Sequence, residues 1–453
     1  MKRTYAIAMS LVSTVLLLAA CQPTPEKPAV VNKYDGQLEQ KIQQSAAPEE
    51  HYTVPDTWFD AGFHKTLDAT VTINASIELH GAVKYPIIRI KPINFTQEEA
   101  DRVIHYFVGD ARLYESENIP LTRAQLQDEI LQSQAQLEKL KQDRPDDLQD
   151  SEERKTLEDW IKQRKEKLKT APETVQKEYI DSKFTVNPEG GEELSAFADM
   201  GDKAPVRINL FNMMKDHYSD MFSIGLDGST PFPNFSFNQR FYGSELTDEK
   251  ASDISKQLLA ELGIEGMEIS EIKKSMNALS DPSRKDDIRV VFQPSVNGLP
   301  MRAKCNLNKE DKSYAPQKRI EYISVDMDPS GINGFSWGDK GKITDTVNEN
   351  VRLMPFDQIQ ERFQQQIFKQ PIWASAGEKK KTGSQSVTID RIELCLVHIP
   401  EKNRQGSFLL IPAWNFYETR AMPEGLAKRM TGEEKQVRCI MTINAVDGSI
   451  VTQ

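Results

Sequence analysis

Long apolar runs are scarce in this sequence. Beyond its first twenty residues no stretch approaches the roughly 18–20 apolar residues that a bilayer core demands, so no later segment is expected to span a membrane. Histidine is sparse. His51, His64, His80, His105, His217 and His398 are scattered, with no H-E-x-x-H and no i, i+4 pair, which removes the helical zinc site. Cysteine is limited to Cys21, Cys305, Cys395 and Cys439, never spaced C-x-x-C, so a zinc ribbon or dithiol redox motif is not expected. No P-loop and no G-x-G-x-x-G occurs, and no cofactor is expected. Positive charge is in deficit: 57 Lys and Arg stand against 68 Asp and Glu, a net charge of −11, with no basic patch interleaved with aromatics. An acidic chain of this kind repels nucleic acid, which is not expected as a partner.

The one greasy run is at the start. Lys2 and Arg3 precede an almost wholly apolar stretch from Ala6 to Leu18, followed by Ala19, Ala20 and Cys21. A positive start, a short apolar centre and small residues before a cut describe a secretory signal over residues 1–20, too short to span a bilayer. Leu18-Ala19-Ala20-Cys21 resembles the lipobox of bacterial lipoproteins. The resemblance implies cleavage between Ala20 and Cys21, lipid on the Cys21 thiol, and anchorage at the outer, extracytoplasmic face of the cell membrane. Each buried acyl CH₂ would contribute about 0.8 kcal/mol to that anchor. Residues 21–50, rich in Pro, Gln, Glu and Ala, read as the lipid anchor and a disordered tether. With Cys21 lipidated an odd number of thiols remains, so no complete disulfide framework is expected. Cys395 and Cys439 lie in strand-like segments that could meet across a sheet; the simpler reading makes Cys305, Cys395 and Cys439 small buried apolar groups.

The remainder reads as α+β, with helices packed on antiparallel sheets in two or three repeated units. Residues 51–121 form an N-terminal β-α unit. "TVTINASIEL" alternates strictly, with Val71, Ile73, Ala75, Ile77 and Leu79 on one face. A helix follows, with Thr96 as N-cap, Glu99 closing a capping box, and Ala100, Val103, Ile104 and Phe107 as its stripe. Residues 122–180 read as a helical hairpin insertion. From Thr122 to Lys169 there is no glycine and one proline, Pro145; Leu126, Ile130, Leu137 and Leu140, then Leu157, Ile161 and Leu168, fall at coiled-coil spacing. This arm, residues 122–169, is either a solvated protrusion or a docking arm for an envelope protein. Residues 181–285 form a middle β-α unit, whose aromatics between Phe232 and Tyr242 would be core or a ligand groove, and whose helix starts at Thr247. Residues 286–453 form a C-terminal unit of hairpins, a helix starting at Pro355 and antiparallel strands, with turns at Asn297-Gly298 and Asp447-Gly448.

Two motif sets fail on context. Ser270-Glu271-Ile272-Lys273 and Lys381-Thr382-Gly383 match the S-x-x-K and K-T-G of serine penicillin-binding enzymes, but the second lies in a charged linker. Asp326 to Gly331 opens like a calcium loop, yet Trp337 stands where a bidentate Glu is needed. Neither supplies a catalytic residue or a metal ligand, and none is expected.

"SVNGLPM", "EYISVDMDPSGINGFSW", "LLIPAWNFYE" and "INAVDGSIV" resemble, in that order, a family of uncharacterised lipoproteins of clostridial bacteria known only as a domain of unknown function. More loosely the layout is similar to PepSY-like domains and to extracytoplasmic regulators of a cell-wall sensor kinase. The resemblance implies a non-catalytic protein that binds or restrains a partner, held at the membrane through lipid on Cys21. The alternatives are a solute- or glycan-binding lipoprotein and a cell-wall-active enzyme.

Overall fold

In the computed structural model the described residues are 37–46, 52–115, 119–143, 152–186, 191–201, 205–212, 221–226, 246–274, 288–305, 320–328, 331–370, 373, 385–401, 404, 406–421 and 435–451. They are built mainly from strands, gathered in a seven-stranded and an eleven-stranded sheet. This corrects the α+β expectation: the protein is mostly β, and its helices are few beside eighteen strands in the described residues. The physical reason is that several strands are nearly invisible to periodicity. Leu113–Tyr114, Tyr179–Ile180, Thr185–Val186 and Leu299–Pro300 are two residues long, and their pairing is decided by partners far away in sequence.

The first sheet joins the two ends of the folded chain. Its order is Thr57–His64, Ala69–Glu78, Gln385–Pro400, Phe408–Ala421, Ile87–Pro92 and Gly341–Asn348. Strand Lys435–Asn444 also pairs with Phe408–Ala421, using its second half, Ala413 to Ala421, while Phe408 to Leu410 pair with Ile88 to Ile90. Ala69–Glu78 and Gln385–Pro400 run parallel, so the sheet is mixed rather than antiparallel. The expected N-terminal and C-terminal units therefore share one sheet instead of forming consecutive repeats. One face of its long strands is apolar. Phe363 of helix Phe356–Gln366 stacks on Phe416 at 4.5 Å, and Phe356 meets Trp414 edge-on at 4.9 Å. Those contacts bury the stripe Phe356, Ile359, Phe363 and Ile367.

The second sheet is drawn from the middle of the chain, in the order Met267–Lys274, Ile288–Val296, Tyr322–Asp328, Gly331–Gly338, Met221–Leu226, Val206–Asn212, Glu192–Ala198, Leu113–Tyr114 and Tyr179–Ile180. Helices Gln97–Val108 and Asp248–Glu261 bury their apolar stripes in its core. The first of these starts as its sequence dictates. Thr96 accepts a hydrogen bond from the Glu99 amide at 3.2 Å, and the Glu99 carboxylate accepts one from the Thr96 amide at 2.9 Å. Asn297 and Gly298 both have positive φ, and Val296 pairs with Leu299, the two-residue hairpin that Asn-Gly specifies.

Helices Arg123–Asp143 and Glu152–Thr170 pack antiparallel on each other and keep a small core of their own, Ile130, Leu137 and Ile161, with Leu168 against it. Arg164 Nε lies 2.7 Å from Glu129 Oε2, and the Arg123 amide donates to the Pro172 carbonyl at 2.8 Å. The side chains of Leu140 and Leu157 lie outside the described residues. Leu131 and Trp160 are exposed on this pair, with the Arg164 guanidinium 4.0 Å from the Trp160 ring centroid.

The tether expectation is corrected in part. Residues 37–46 are docked on the body, with helix Gln37–Lys41 leading into a buried Ile42. Asn348, itself buried, donates to the Ile42 carbonyl at 2.9 Å and accepts from the Ser45 hydroxyl at 3.3 Å. The Ala46 amide donates to Asn350 O, and the Arg352 amide to Gln44 O, at 2.9 and 3.0 Å. Buried Ile42, half-buried Leu38 and these four hydrogen bonds hold this polar stretch to the body.

Candidate functional site

A cavity of about 400 Å³ opens where Ala46 and the stretch Tyr52, Thr53 and Pro55 meet the start of helix Phe356–Gln366. Tyr52, Tyr85 and Phe356 form an aromatic wall, Val351 and Leu353 an apolar floor, and Asn350, Asp357 and Gln360 the polar groups. The rings of Tyr52 and Tyr85 meet edge to face at 5.7 Å. Both hydroxyls are engaged by backbone carbonyls: Tyr52 donates to Met354 O at 2.8 Å, Tyr85 to Ala82 O at 3.2 Å. Burial raises both phenols above their ordinary pKa, so both stay neutral donors. The Tyr85 amide donates to Asn350 Oδ1 at 3.0 Å, which fixes that side chain. Asp357 is in the first turn of the helix, where its charge favours the N-terminal dipole. The arrangement offers ring faces for stacking and one carboxylate and amides for hydrogen bonding, the ordinary equipment of a small-solute site.

A second cluster lies on the polar face of the first sheet. The register places Glu393, Asn415 and Thr442 side by side across three strands, all fully buried. Glu393 Oε1 accepts from His80 Nε2 at 2.9 Å and from Arg302 Nε at 3.1 Å, and Oε2 accepts from the Tyr417 hydroxyl at 3.0 Å. Burial works to raise the Glu393 carboxyl, but the His80 hydrogen bond and the charges of Arg302 and Arg391 outweigh it and hold it below its ordinary range. Arg302 also donates to Gln293 Oε1 at 3.0 Å, so the cluster ties one sheet to the other. Glu78, His80 and Glu393 carry potential ligand atoms within 4.8 Å of one another. The set does not fit a metal ion. Both Glu393 oxygens are taken, and two guanidinium groups, Arg302 and Arg391, supply the positive charge there.

The residues singled out from sequence separate widely. Ala20, Cys21 and the rest of residues 1–36, the aromatics Phe232 to Tyr242, and Lys381-Thr382-Gly383 lie outside the described residues. Ser270 and Lys273 are on the edge strand Met267–Lys274, where the Ser270 hydroxyl donates to Val291 O at 3.1 Å and Lys273 pairs with Glu271 at 2.7 Å. Asp326 is held by Arg289 in two bonds of 2.7 and 2.9 Å, and Asp328 accepts from the Gly331 amide and the Asn333 side chain. Those are hairpin contacts, not a cation loop. The chain does hold a G-x-S-x-G, Gly334-Phe335-Ser336-Trp337-Gly338. It lies within strand Gly331–Gly338, where Ser336 pairs with Ser324 and Ser223 in the sheet, not at a strand-to-helix elbow. Sequence reasoning missed the cavity and the Glu393 cluster. The advance signal for the second was a charged residue, Glu393, set second in the otherwise largely apolar run "IELCLVHI".

Neither a protein-family model nor a curated relative matches the chain. Among solved structures it is similar to the crystal structure of an uncharacterised protein from Eubacterium rectale ATCC 33656, at 15% identity and a TM-score of 0.45, over 91% of this chain and 98% of that one.

Proposed function

We propose that this chain is a lipid-anchored extracytoplasmic protein that works by binding rather than by catalysis, and that the cavity walled by Tyr52, Tyr85 and Phe356 takes a small solute with an apolar or carbohydrate face. The cavity carries the reading, because it combines stacking surfaces with a few fixed polar groups. The anchor reading rests on Leu18-Ala19-Ala20-Cys21. Under it, the link from Cys21 to the docked helix at Gln37 reaches at most about 55 Å even fully extended, which keeps the cavity close to the membrane. The exposed Leu131 and Trp160 on the helix pair support a second role for that arm, contact with an envelope protein partner.

Two measurements test this. Cells fed a fatty-acid probe should label the wild-type protein and not Cys21→Ala; label on Cys21→Ala refutes the anchor. A panel of mono- and disaccharides and small cyclic solutes should contain at least one that raises the Tm of the full chain. Gln360→Trp, which fills the cavity from a half-buried helix position, should abolish that rise while leaving the unliganded Tm unchanged. A rise that survives Gln360→Trp places the solute elsewhere.

A further inference from the structure

Three thiols converge on the polar face of the first sheet, and two of them meet. Cys305 lies on the segment that crosses that face after leaving the second sheet. Its amide donates to the Thr442 hydroxyl at 2.8 Å, and its Sγ lies 3.1 Å from the carbonyl oxygen of Cys439 itself. Cys439 Sγ lies 3.7 Å from the same Thr442 hydroxyl and 3.5 Å from Met441 O. One hydroxyl thus gathers the backbone of one cysteine and the sulfur of the other. Both thiols are free in this structure, Cys305 buried and Cys439 partly exposed. Cys395 shares the sheet face but points its sulfur at Ala413 O, 3.6 Å away, and is fully buried.

We propose that Cys305 and Cys439 are a redox pair, a modification site at which a small or protein disulfide forms a Cys305–Cys439 bond. The order of events follows from access. The more exposed Cys439 gives up its proton and attacks one sulfur of the oxidant disulfide, expelling one thiolate and leaving a mixed disulfide on Cys439. Cys305 then gives up its proton to that thiolate and attacks the Cys439 sulfur, expelling the second thiolate. One S–S bond is broken and one is made; the protein loses two electrons and two protons, and the oxidant leaves as two thiols. The neighbouring Cys439 thiol and burial both push the Cys305 thiol far above its ordinary pKa, so Cys305 does not start the exchange. The bond would close a loop between residues 134 positions apart. It would tie the crossing segment, and with it the second sheet, to the last strand of the first sheet. Chain entropy predicts that a loop of this length stabilises the oxidised form. The inference stands on geometry and is independent of the solute reading; export to an oxidising compartment would supply the oxidant.

The test treats the purified full chain with glutathione disulfide, alkylates the remaining thiols and maps peptides without reduction. The expected result is a Cys305–Cys439 link, a mass lower by two hydrogens, and a Tm above that of the reduced chain, all reversed by dithiothreitol. Cys395→Ser should keep the link. Cys305→Ser should stall with glutathione on Cys439, and Cys439→Ser should leave Cys305 unmodified. Alkylation of both cysteines in the treated wild type, glutathione persisting on Cys439 beside a free Cys305, or a link through Cys395 would each overturn the proposal without reference to whether the variants fold.

Discussion

His80 Nε2 stands 2.9 Å from Glu393 Oε1, joining a turn residue with φ of 53° to a fully buried carboxylate 313 positions later. That contact, with Arg302 and Tyr417 on the same carboxylate, closes the polar face of the first sheet where the crossing segment covers it. A buried charge with satisfied partners is costly to break and cheap to replace whole.

Glu393→Ala is therefore expected to cost about 3–5 kcal/mol, because it strands the Arg302 guanidinium. Replacing both Glu393 and Arg302 with leucine should recover most of that loss. Urea unfolding of the single and double variants measures the difference; equal losses in both would show that the cost does not come from the stranded guanidinium.

Stability should fall in acid. Glu393, Glu99, Asp199 and Glu401 all hold carboxyls below their ordinary range, opposed by burial and driven by His80, Lys340, Lys177 and Arg89 respectively. A carboxyl depressed in the fold stabilises fully above its unfolded value of about 4 and ceases to do so as pH falls through its folded value. Thermal unfolding between pH 7 and pH 2 should show the loss beginning below about pH 5, and Glu393→Gln should flatten that limb.

Lys304 is buried with no ion-pair partner among the described residues, and desolvation lowers its pKa. A lysine depressed in the fold is penalised while it is protonated, and the penalty fades as pH rises from its folded value toward the ordinary value of about 10.4. Lys304→Met should accordingly raise the Tm at pH 7 and remove that alkaline gain. An unchanged or lower Tm would show that the amine is reached by water.

Thr96→Ala removes one half of a capping box whose other half, Glu99, also pairs with Lys340 on the connector to the first sheet. The expected cost is about 1 kcal/mol by chemical denaturation. Thr96→Ser, which keeps the hydroxyl, should lose only a fraction of it.

Asn348→Ala should release the docked residues 42–46. Their amides should exchange with solvent faster in hydrogen–deuterium exchange, while core strand Phe408–Ala421 stays protected. Unchanged protection at residues 42–46 would show that Ile42 and the backbone bonds at Gln44 and Ala46 hold the segment without Asn348.

What the sequence by itself determined was local. Thr96 with Glu99 sets a helix start, Asn297-Gly298 sets a two-residue hairpin, and the alternation from Val71 to Ala75 buries one strand face, because each rests on neighbours within a few residues. Only the tertiary structure decided which strands share a sheet: Val71 lies beside Val387, and Phe408 beside Ile90, pairings that no local pattern encodes. The same distance hid the sites. Tyr52 meets Met354, His80 meets Glu393, and Cys305 meets Cys439, each across a separation at which sequence spacing carries no geometric information and only the closed ladder brings the side chains together.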